Sequence, residues 1–87
     1  MTSIRQIGEF LESPEWNAGE KFVIKWQFNR SLQLLGDFGA ALAEAIVRAD
    51  DSNLTKLALG FPDEVAGFLA WNRGDLGIRL RDAGLEI

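Results

Sequence analysis

The 87-residue chain lacks three residue types: cysteine, histidine and tyrosine. Without cysteine it can form neither a disulfide framework nor a thiolate metal site. Without histidine it lacks the commonest general base and the commonest metal ligand, and without tyrosine it has no phenolic acid. No apolar run approaches the roughly 20 residues that a membrane-spanning helix needs. These absences favour a non-enzymatic protein with no cofactor, no metal and no membrane segment.

The composition is otherwise that of an ordinary folded domain. Apolar residues make up 47% of the chain and charged residues 25%, a balance that argues against disorder. The length predicts a single domain, residues 1–87. The first residues lack the charged start and apolar run of a secretory signal, so we expect a cytoplasmic location.

The charge is unevenly spread along the chain. The net charge is −4, yet residues 21–36 carry three bases and no acid, whereas residues 37–72 carry six acids and two bases. The excess of acids argues against direct binding of nucleic acid, because phosphates are repelled. A partner chosen by charge would instead be a basic protein, such as one that itself binds nucleic acid.

Capping signals predict several short helices. Ser3 and Gln6 have the spacing of a capping box, which predicts a first helix over 4–12. The polar cluster that begins at Asp50 is typical of the end of one helix and the start of the next. Pro62, followed by two acids, indicates a further helix, because proline is tolerated at the first helical position and acids suit the first turn.

The segment 21–29 allows two interpretations. Its apolar residues alternate as in a strand, but they also begin an apolar stripe at spacings of three and four that extends over about seven helical turns. The longer pattern favours one helix over about 20–48. Gly36 and Gly39 then mark a kink, a break, or a close crossing with another helix, because each costs roughly 1 kcal/mol in a helix relative to alanine.

The last residues are ambiguous in the same way. A helix over 76–83 could end at Gly84, with Leu85 as its apolar contact. A strand there could instead pair with 21–29. We therefore predict an all-α bundle of four to six helices with one long helix over about 20–48. The alternative is an α+β fold with a small sheet from 21–29 and 76–87.

The acidic residues do not form a convincing catalytic or metal site. Asp50 and Asp51 lack the glycine and closing glutamate of a calcium loop and fit a capping role better. Asp63 and Glu64 point about 100° apart on a helix, so they do not readily share a proton, and the helix dipole alone accounts for them. No catalytic residue is predicted.

The aromatic residues are the most informative feature. Three tryptophans and six phenylalanines are many for a chain of this size, and tryptophan is enriched at the centre of protein interfaces. Combined with the acids, they give the candidate partner-binding residues: Trp16, Trp26, Trp71, Asp50, Asp51, Asp63 and Glu64.

Residues 49–65 read Ala-Asp-Asp-Ser-Asn-Leu-Thr-Lys-Leu-Ala-Leu-Gly-Phe-Pro-Asp-Glu-Val. The pattern Ala-Asp-x-x-Asn-Leu-x-Lys-Leu, followed by Phe-Pro, acids and valine, resembles a segment of short bacteriophage and prophage proteins with no assigned activity. It covers 17 of the 87 residues. The resemblance implies a phage setting, in which small acidic proteins often bind and block a host protein, as anti-CRISPR proteins do.

These observations lead to three functional hypotheses. The first is a non-enzymatic, acidic interaction protein, encoded by a phage, that binds or inhibits a host protein. The second is a homo-oligomer that serves as a structural or small-ligand-binding protein, with its apolar helix face shared between chains. The third, more remote, is a single-strand nucleic-acid binder that uses Lys21, Lys25 and Arg30 beside nearby aromatic rings.

Overall fold

The computed structural model describes residues 2–87, which form an all-α bundle. The prediction of a small helical bundle is confirmed, and no strand occurs within the described residues, so the alternative with a sheet from 21–29 and 76–87 is wrong. The six helices are α1 (Ile4–Glu12), α2 (Ala18–Leu32), α3 (Gly36–Arg48), α4 (Asp51–Gly60), α5 (Pro62–Arg73) and α6 (Asp75–Asp82).

The first two helices begin with capping boxes. At α1, the Gln6 backbone N–H donates to Ser3 Oγ at 3.2 Å, and the Ser3 N–H donates to Gln6 Oε1 at 2.9 Å. At α2, Asn17 and Glu20 repeat this reciprocal pattern at 2.8 and 2.9 Å. Each box satisfies two backbone donors that a helix start would otherwise leave unpaired.

The single long helix predicted over about 20–48 is wrong, because the chain breaks between α2 and α3. Gln33 adopts a left-handed conformation with φ 50°, and Gly36 has φ 68°. The Leu35 N–H, which a continuous helix would bond to a backbone carbonyl, donates instead to Asn29 Oδ1 at 2.9 Å. The break that the glycines suggested is therefore real.

The C-terminal segment is helical and not a strand, with α6 at Asp75–Asp82. After α6, Gly84 has φ 105°, a conformation that side-chain-bearing residues rarely adopt. The Gly84 N–H donates to the Arg81 carbonyl and the Leu85 N–H to the Leu80 carbonyl, both at 3.0 Å. This is the hydrogen-bond pattern of a Schellman cap, and Leu85 is buried as its apolar contact.

Helices α2 and α5 form the centre of the bundle and cross at two glycines. A Cβ atom added to Gly67 would lie 2.6 Å from the carbonyl carbon of Gly19, and one added to Gly19 would lie 2.9 Å from the carbonyl carbon of Asp63. The two backbones therefore touch with no side chain between them. The close crossing suggested for Gly36 or Gly39 occurs instead at Gly19 and Gly67.

One hydrophobic core joins the helices. Its buried members are Trp16, Val23, Ile24, Leu42, Ala43, Ile46, Val65, Phe68, Leu76, Leu80 and Leu85. At the periphery, the Glu86 backbone N–H donates to Thr2 Oγ1 at 2.8 Å across 84 residues of sequence. This bond brings the two ends of the described chain together.

An ion pair between the buried carboxylate of Glu20 and the half-exposed side chain of Arg79 connects the start of α2 with α6. Glu20 is almost fully buried: one carboxylate oxygen accepts the capping bond from Asn17, and the other accepts a hydrogen bond from Arg79 at 2.5 Å. The Arg79 guanidinium carbon also lies 5.1 Å from the ring centroid of Trp16. Both carboxylate oxygens are therefore satisfied, which a buried charge requires.

Candidate partner-binding cleft

A cavity of about 310 Å³ lies where α2, α3, α4 and α5 meet. We call it the tryptophan cleft. Its walls consist of the apolar residues Trp26, Ile46, Val47, Ala49, Leu54, Val65, Phe68, Leu69 and Trp71 and the polar residues Asp51 and Asn72. A concave site of this volume lies within the usual size range of a binding pocket.

Helix packing determines which residues reach the cleft. Helices α4 and α5 are joined by Phe61 alone, so the chain reverses sharply and the start of α4 lies beside the end of α5. This reversal brings Asp51 to the same cavity as Trp71 and Asn72. Trp26, near the middle of α2, completes the wall from the opposite side.

The aromatic wall has a defined geometry. The rings of Trp26 and Trp71 are nearly perpendicular, at 79°, with centroids 6.4 Å apart. Behind them, Phe68 meets Trp26 edge-to-face at 5.0 Å and 66°. Edge-to-face packing at these distances is favourable and holds the rings in fixed orientations. The two indoles thus form a corner backed by the core.

Two apolar residues that line the cleft are also exposed to solvent. The exposed fraction is 53% for Val47 in α3 and 40% for Leu69 in α5, and both residues line the cavity. Neither residue was predicted from the sequence as a candidate partner-binding residue. Leu69 shares a helix face with core residues of α5, and only the tertiary arrangement shows that it lies at the margin of the core.

The charge at the cleft is negative. Among the described lining residues, Asp51 is the one with a charged side chain. The nearest arginines in sequence are already in ion pairs, Arg48 with Glu44 at 2.7 Å and Arg73 with Asp75 at 3.4 Å. The exposed Asp51 carboxylate is therefore the charged group that a bound partner would meet among the described lining residues.

Trp16 lies in the core and not at the cleft. Its exposure is only 7%, its ring centroid lies 5.8 Å from that of Phe10, and Arg79 covers it. Because it is buried, Trp16 contributes little to any exposed surface. Of the three predicted tryptophans, the structure brings Trp26 and Trp71 together.

The other predicted acids lie outside the cleft. The Asp50 side chain accepts a hydrogen bond from the Asn53 N–H at 2.8 Å and acts as the N-cap of α4. Asp63 and Glu64 occupy the first turn of α5, about 10 Å along the helix axis from Trp71. The seven candidate residues therefore do not form one acidic and aromatic surface, and the cleft gathers three of them.

One of the three basic residues of α2, Arg30, lines a second, larger cavity. This cavity, of about 500 Å³, separates α2 from α3 and is lined by Trp26, Gln27, Asn29, Arg30, Ala40 and Glu44. In the described part of the chain, Lys21, Lys25 and Arg30 form no ion pair. The neighbouring rings of Phe22 and Trp26 pack against Phe68.

Residues 2–87 contain no group of three or more acidic, histidine or cysteine side chains arranged to hold a metal ion. None of their helices is long and apolar enough to cross a membrane.

The described residues form a small bundle of six helices with an aromatic cleft between four of them. Comparisons of the chain with protein-family models, with curated proteins and with solved structures gave no match.

Proposed function

We propose that this chain is a non-enzymatic interaction protein that binds a partner protein through the tryptophan cleft. The observation that carries the proposal is the corner formed by Trp26 and Trp71, which faces a solvent-open cavity of about 310 Å³. Tryptophans beside pockets are frequent binding hot spots, because a side chain inserted between them loses contact with water over a large apolar area.

The charge pattern supports a basic partner. The net charge is −4, and the one charged residue among those described at the cleft is Asp51. A partner with a basic surface would be steered toward the chain and would find a carboxylate beside its apolar anchor. The resemblance of residues 49–65 to phage proteins adds a setting, in which the partner is a protein of the bacterial host.

A non-enzymatic role agrees with the chemistry of the cleft. Asp51 is the one ionisable side chain among its described lining residues, and Asn72 is the other polar one. A lone exposed carboxylate has no second group with which to divide acid and base roles. Binding without chemistry is therefore the function that this cavity supports best.

The proposal is tested by affinity capture from bacterial lysate with three versions of the chain. Wild type and Leu59→Ala should capture the same protein, because Leu59 is 84% exposed and lies on α4 outside the cleft. Trp71→Ala should lose the captured protein while circular dichroism shows that the helices persist. Equal capture by Trp71→Ala and wild type would contradict the proposal.

A further inference from the structure

Helix α3 is held in the bundle by one apolar face. Its buried residues are Leu42, Ala43 and Ile46, whereas Phe38 near its start is 69% exposed. Among the residues that the structure describes, no ion pair or side-chain hydrogen bond joins 36–48 to another helix. Apolar packing is therefore what keeps α3 in place.

Cavities follow α3 along two of its flanks. On the side of α2 lie the tryptophan cleft and the cavity of about 500 Å³, and Trp26 lines both. On the side of α4 lies a further cavity of about 450 Å³, lined in part by Ala45 and Arg48 from α3 and by Lys56 and Leu57 from α4. Closely packed helices leave few spaces of this size between them. Little side-chain packing therefore opposes a movement of α3 on these flanks.

Both ends of α3 have the features of a hinge. Gly36, its first residue, has φ 68°, and a Cβ atom added there would meet nothing within 4 Å. The Leu35 N–H is held by Asn29 Oδ1, so the chain is anchored directly before this glycine. At the other end, Ala49 and Asp50 have extended backbones. Hinges are usually a few residues of this kind at the ends of an element.

An outward rotation of α3 would join two of these cavities. Ala40 and Glu44 of α3 line the cavity of about 500 Å³, and Ile46 and Val47 line the tryptophan cleft. Because α3 supplies a wall of each, its departure would leave one groove along α2, about 10 Å long from Ala40 to Val47. Two turns of a partner helix fit along such a groove, whereas the closed cleft of about 310 Å³ has room for a side chain.

We infer that α3 is a lid over the tryptophan cleft, which turns outward at Gly36 and at Ala49–Asp50, and that the partner protein binds the open form. The inference rests on the proposed function, because it states how the same cleft admits the partner. The open form is a minor population of the free protein, since opening removes Leu42 and Ile46 from the core. A partner that binds it shifts the equilibrium toward it.

The lack of cysteine allows a direct test, because an introduced thiol is then the only one in the chain. Ala43→Cys places a thiol on the buried face of α3, and Val65→Cys places one on the α5 wall of the cleft. Leu80→Cys, in the fully buried part of α6, is the control. Each variant reacts with dithionitrobenzoate in native buffer, and urea unfolding of the same variant gives the rate that global unfolding alone allows. We expect Ala43→Cys and Val65→Cys to react at least about 10-fold faster than that rate, and Leu80→Cys to react at it.

A further substitution tests whether the helix itself moves. The rings of Phe38 in α3 and Phe61, the single residue between α4 and α5, have centroids 5.9 Å apart. Phe38→Ala removes this contact and should speed the reaction of the Ala43→Cys thiol roughly 2- to 10-fold. Ile78→Ala, which truncates an exposed apolar residue of α6, should leave the rate unchanged. Capture of the partner by Phe38→Ala should rise by a similar factor, because apparent affinity follows the open population.

Several outcomes would overturn the inference. Reaction of Ala43→Cys at the global rate would show that α3 does not open by itself, and reaction of Val65→Cys at that rate would show that the opening does not reach the cleft. An unchanged rate after Phe38→Ala would show that α3 and Phe61 stay together. A faster reaction without stronger capture would show that the partner does not bind the open form.

Failure of the lid and failure of the proposed function give different results. If all three thiols react at the global rate while capture of a partner still requires Trp71, the lid fails and the proposed function stands. If the thiols react as expected but Trp71→Ala captures as much as wild type, the proposed function fails and the role of the lid in binding fails with it.

Discussion

The close crossing of α2 and α5 at two glycines predicts that a glycine-to-alanine substitution there destabilises the protein, although helix propensity alone predicts stabilisation. Alanine is about 1 kcal/mol better than glycine inside a helix, so Gly67→Ala would stabilise an isolated α5. In the bundle, however, the new Cβ would lie 2.6 Å from the Gly19 carbonyl carbon and 3.1 Å from its Cα, whereas ordinary contacts are 3.4–4 Å.

The size of the effect follows from which atoms are in the way. The obstructing atoms belong to the Gly19 backbone, so no side-chain rotation can relieve the contact and the helices must separate. Overpacking of this kind costs about 1–3 kcal/mol and sometimes more. A backbone obstacle places Gly67→Ala at the upper end of that range. After the propensity gain, we expect a net loss of about 2 kcal/mol in the free energy of unfolding.

The matched control is Gly8→Ala, in the interior of α1. A Cβ atom there meets nothing within 4 Å, so the propensity gain alone should appear, about 0.5–1 kcal/mol of stabilisation. Urea unfolding of wild type and both variants, followed by tryptophan fluorescence, measures these differences. With a slope of about 1 kcal/mol per molar urea, the midpoint for Gly67→Ala should fall by about 2 M. A midpoint equal to or above that of wild type would refute the reasoning from the crossing.

Three further predictions concern stability and mass. Arg79→Ala should lower the free energy of unfolding by about 1–3 kcal/mol, because it leaves the buried carboxylate of Glu20 with its capping bond alone and removes the cation from the Trp16 ring. Both partners of the Arg73–Asp75 ion pair are exposed, so Arg73→Ala should change the free energy of unfolding by less than about 1 kcal/mol. Equal losses from the two arginine variants in urea unfolding would show that the pair between Glu20 and Arg79 is no more important than an exposed one. Leu85→Ala should cost about 2–4 kcal/mol in the same assay, since Leu85 is 1% exposed, and a loss below 1 kcal/mol would show that its cap contact is dispensable. Light scattering should give a mass near 9.7 kDa at high concentration, because Ile24, Leu42 and Ile46 of the apolar stripe that suggested an oligomer are buried within one chain, although Phe38 is exposed; a clean multiple of that mass would support the homo-oligomer hypothesis.

The fold class could be predicted because helix periodicity is a local property. The apolar spacing through 21–29 continued well beyond the strand-like alternation, and that segment is helical within α2. The capping box at Ser3 and the glycine cap at Gly84 were equally local, since each depends on residues only a few positions apart. Asn17 and Glu20 offered the same capping signal and could have shown where α2 begins.

Other features depend on contacts between distant residues. The apolar stripe continued through Leu32 and Leu35, so hydrophobicity alone could not reveal the left-handed Gln33 that ends α2. Gly19 and Gly67 are separated by 48 positions, and nothing near either residue indicates that their backbones meet.

The candidate site, like the fold, could be predicted only where local sequence signals were sufficient. Tryptophan content and acidity indicated which residue types to examine, but the sequence could not separate buried Trp16 from the two tryptophans at the cleft. Likewise, Asp51 reaches the cavity and Asp63 does not, although both lie in the first turn of a helix. The tight reversal at Phe61 decides the difference, because it brings the start of α4 beside the end of α5.

The hydrogen bond between Glu86 and Thr2 suggests that the helices could be connected in a different order along the chain without changing the fold. Where the two ends of a fold adjoin, a short linker can join them and the chain can be opened at an exposed turn elsewhere. Opening this protein at the exposed residues Pro14 and Glu15 would move α1 from the first position in the chain to the last. The same bundle would then assemble with α1 following α6 directly, so the contact between the two ends would become a local one.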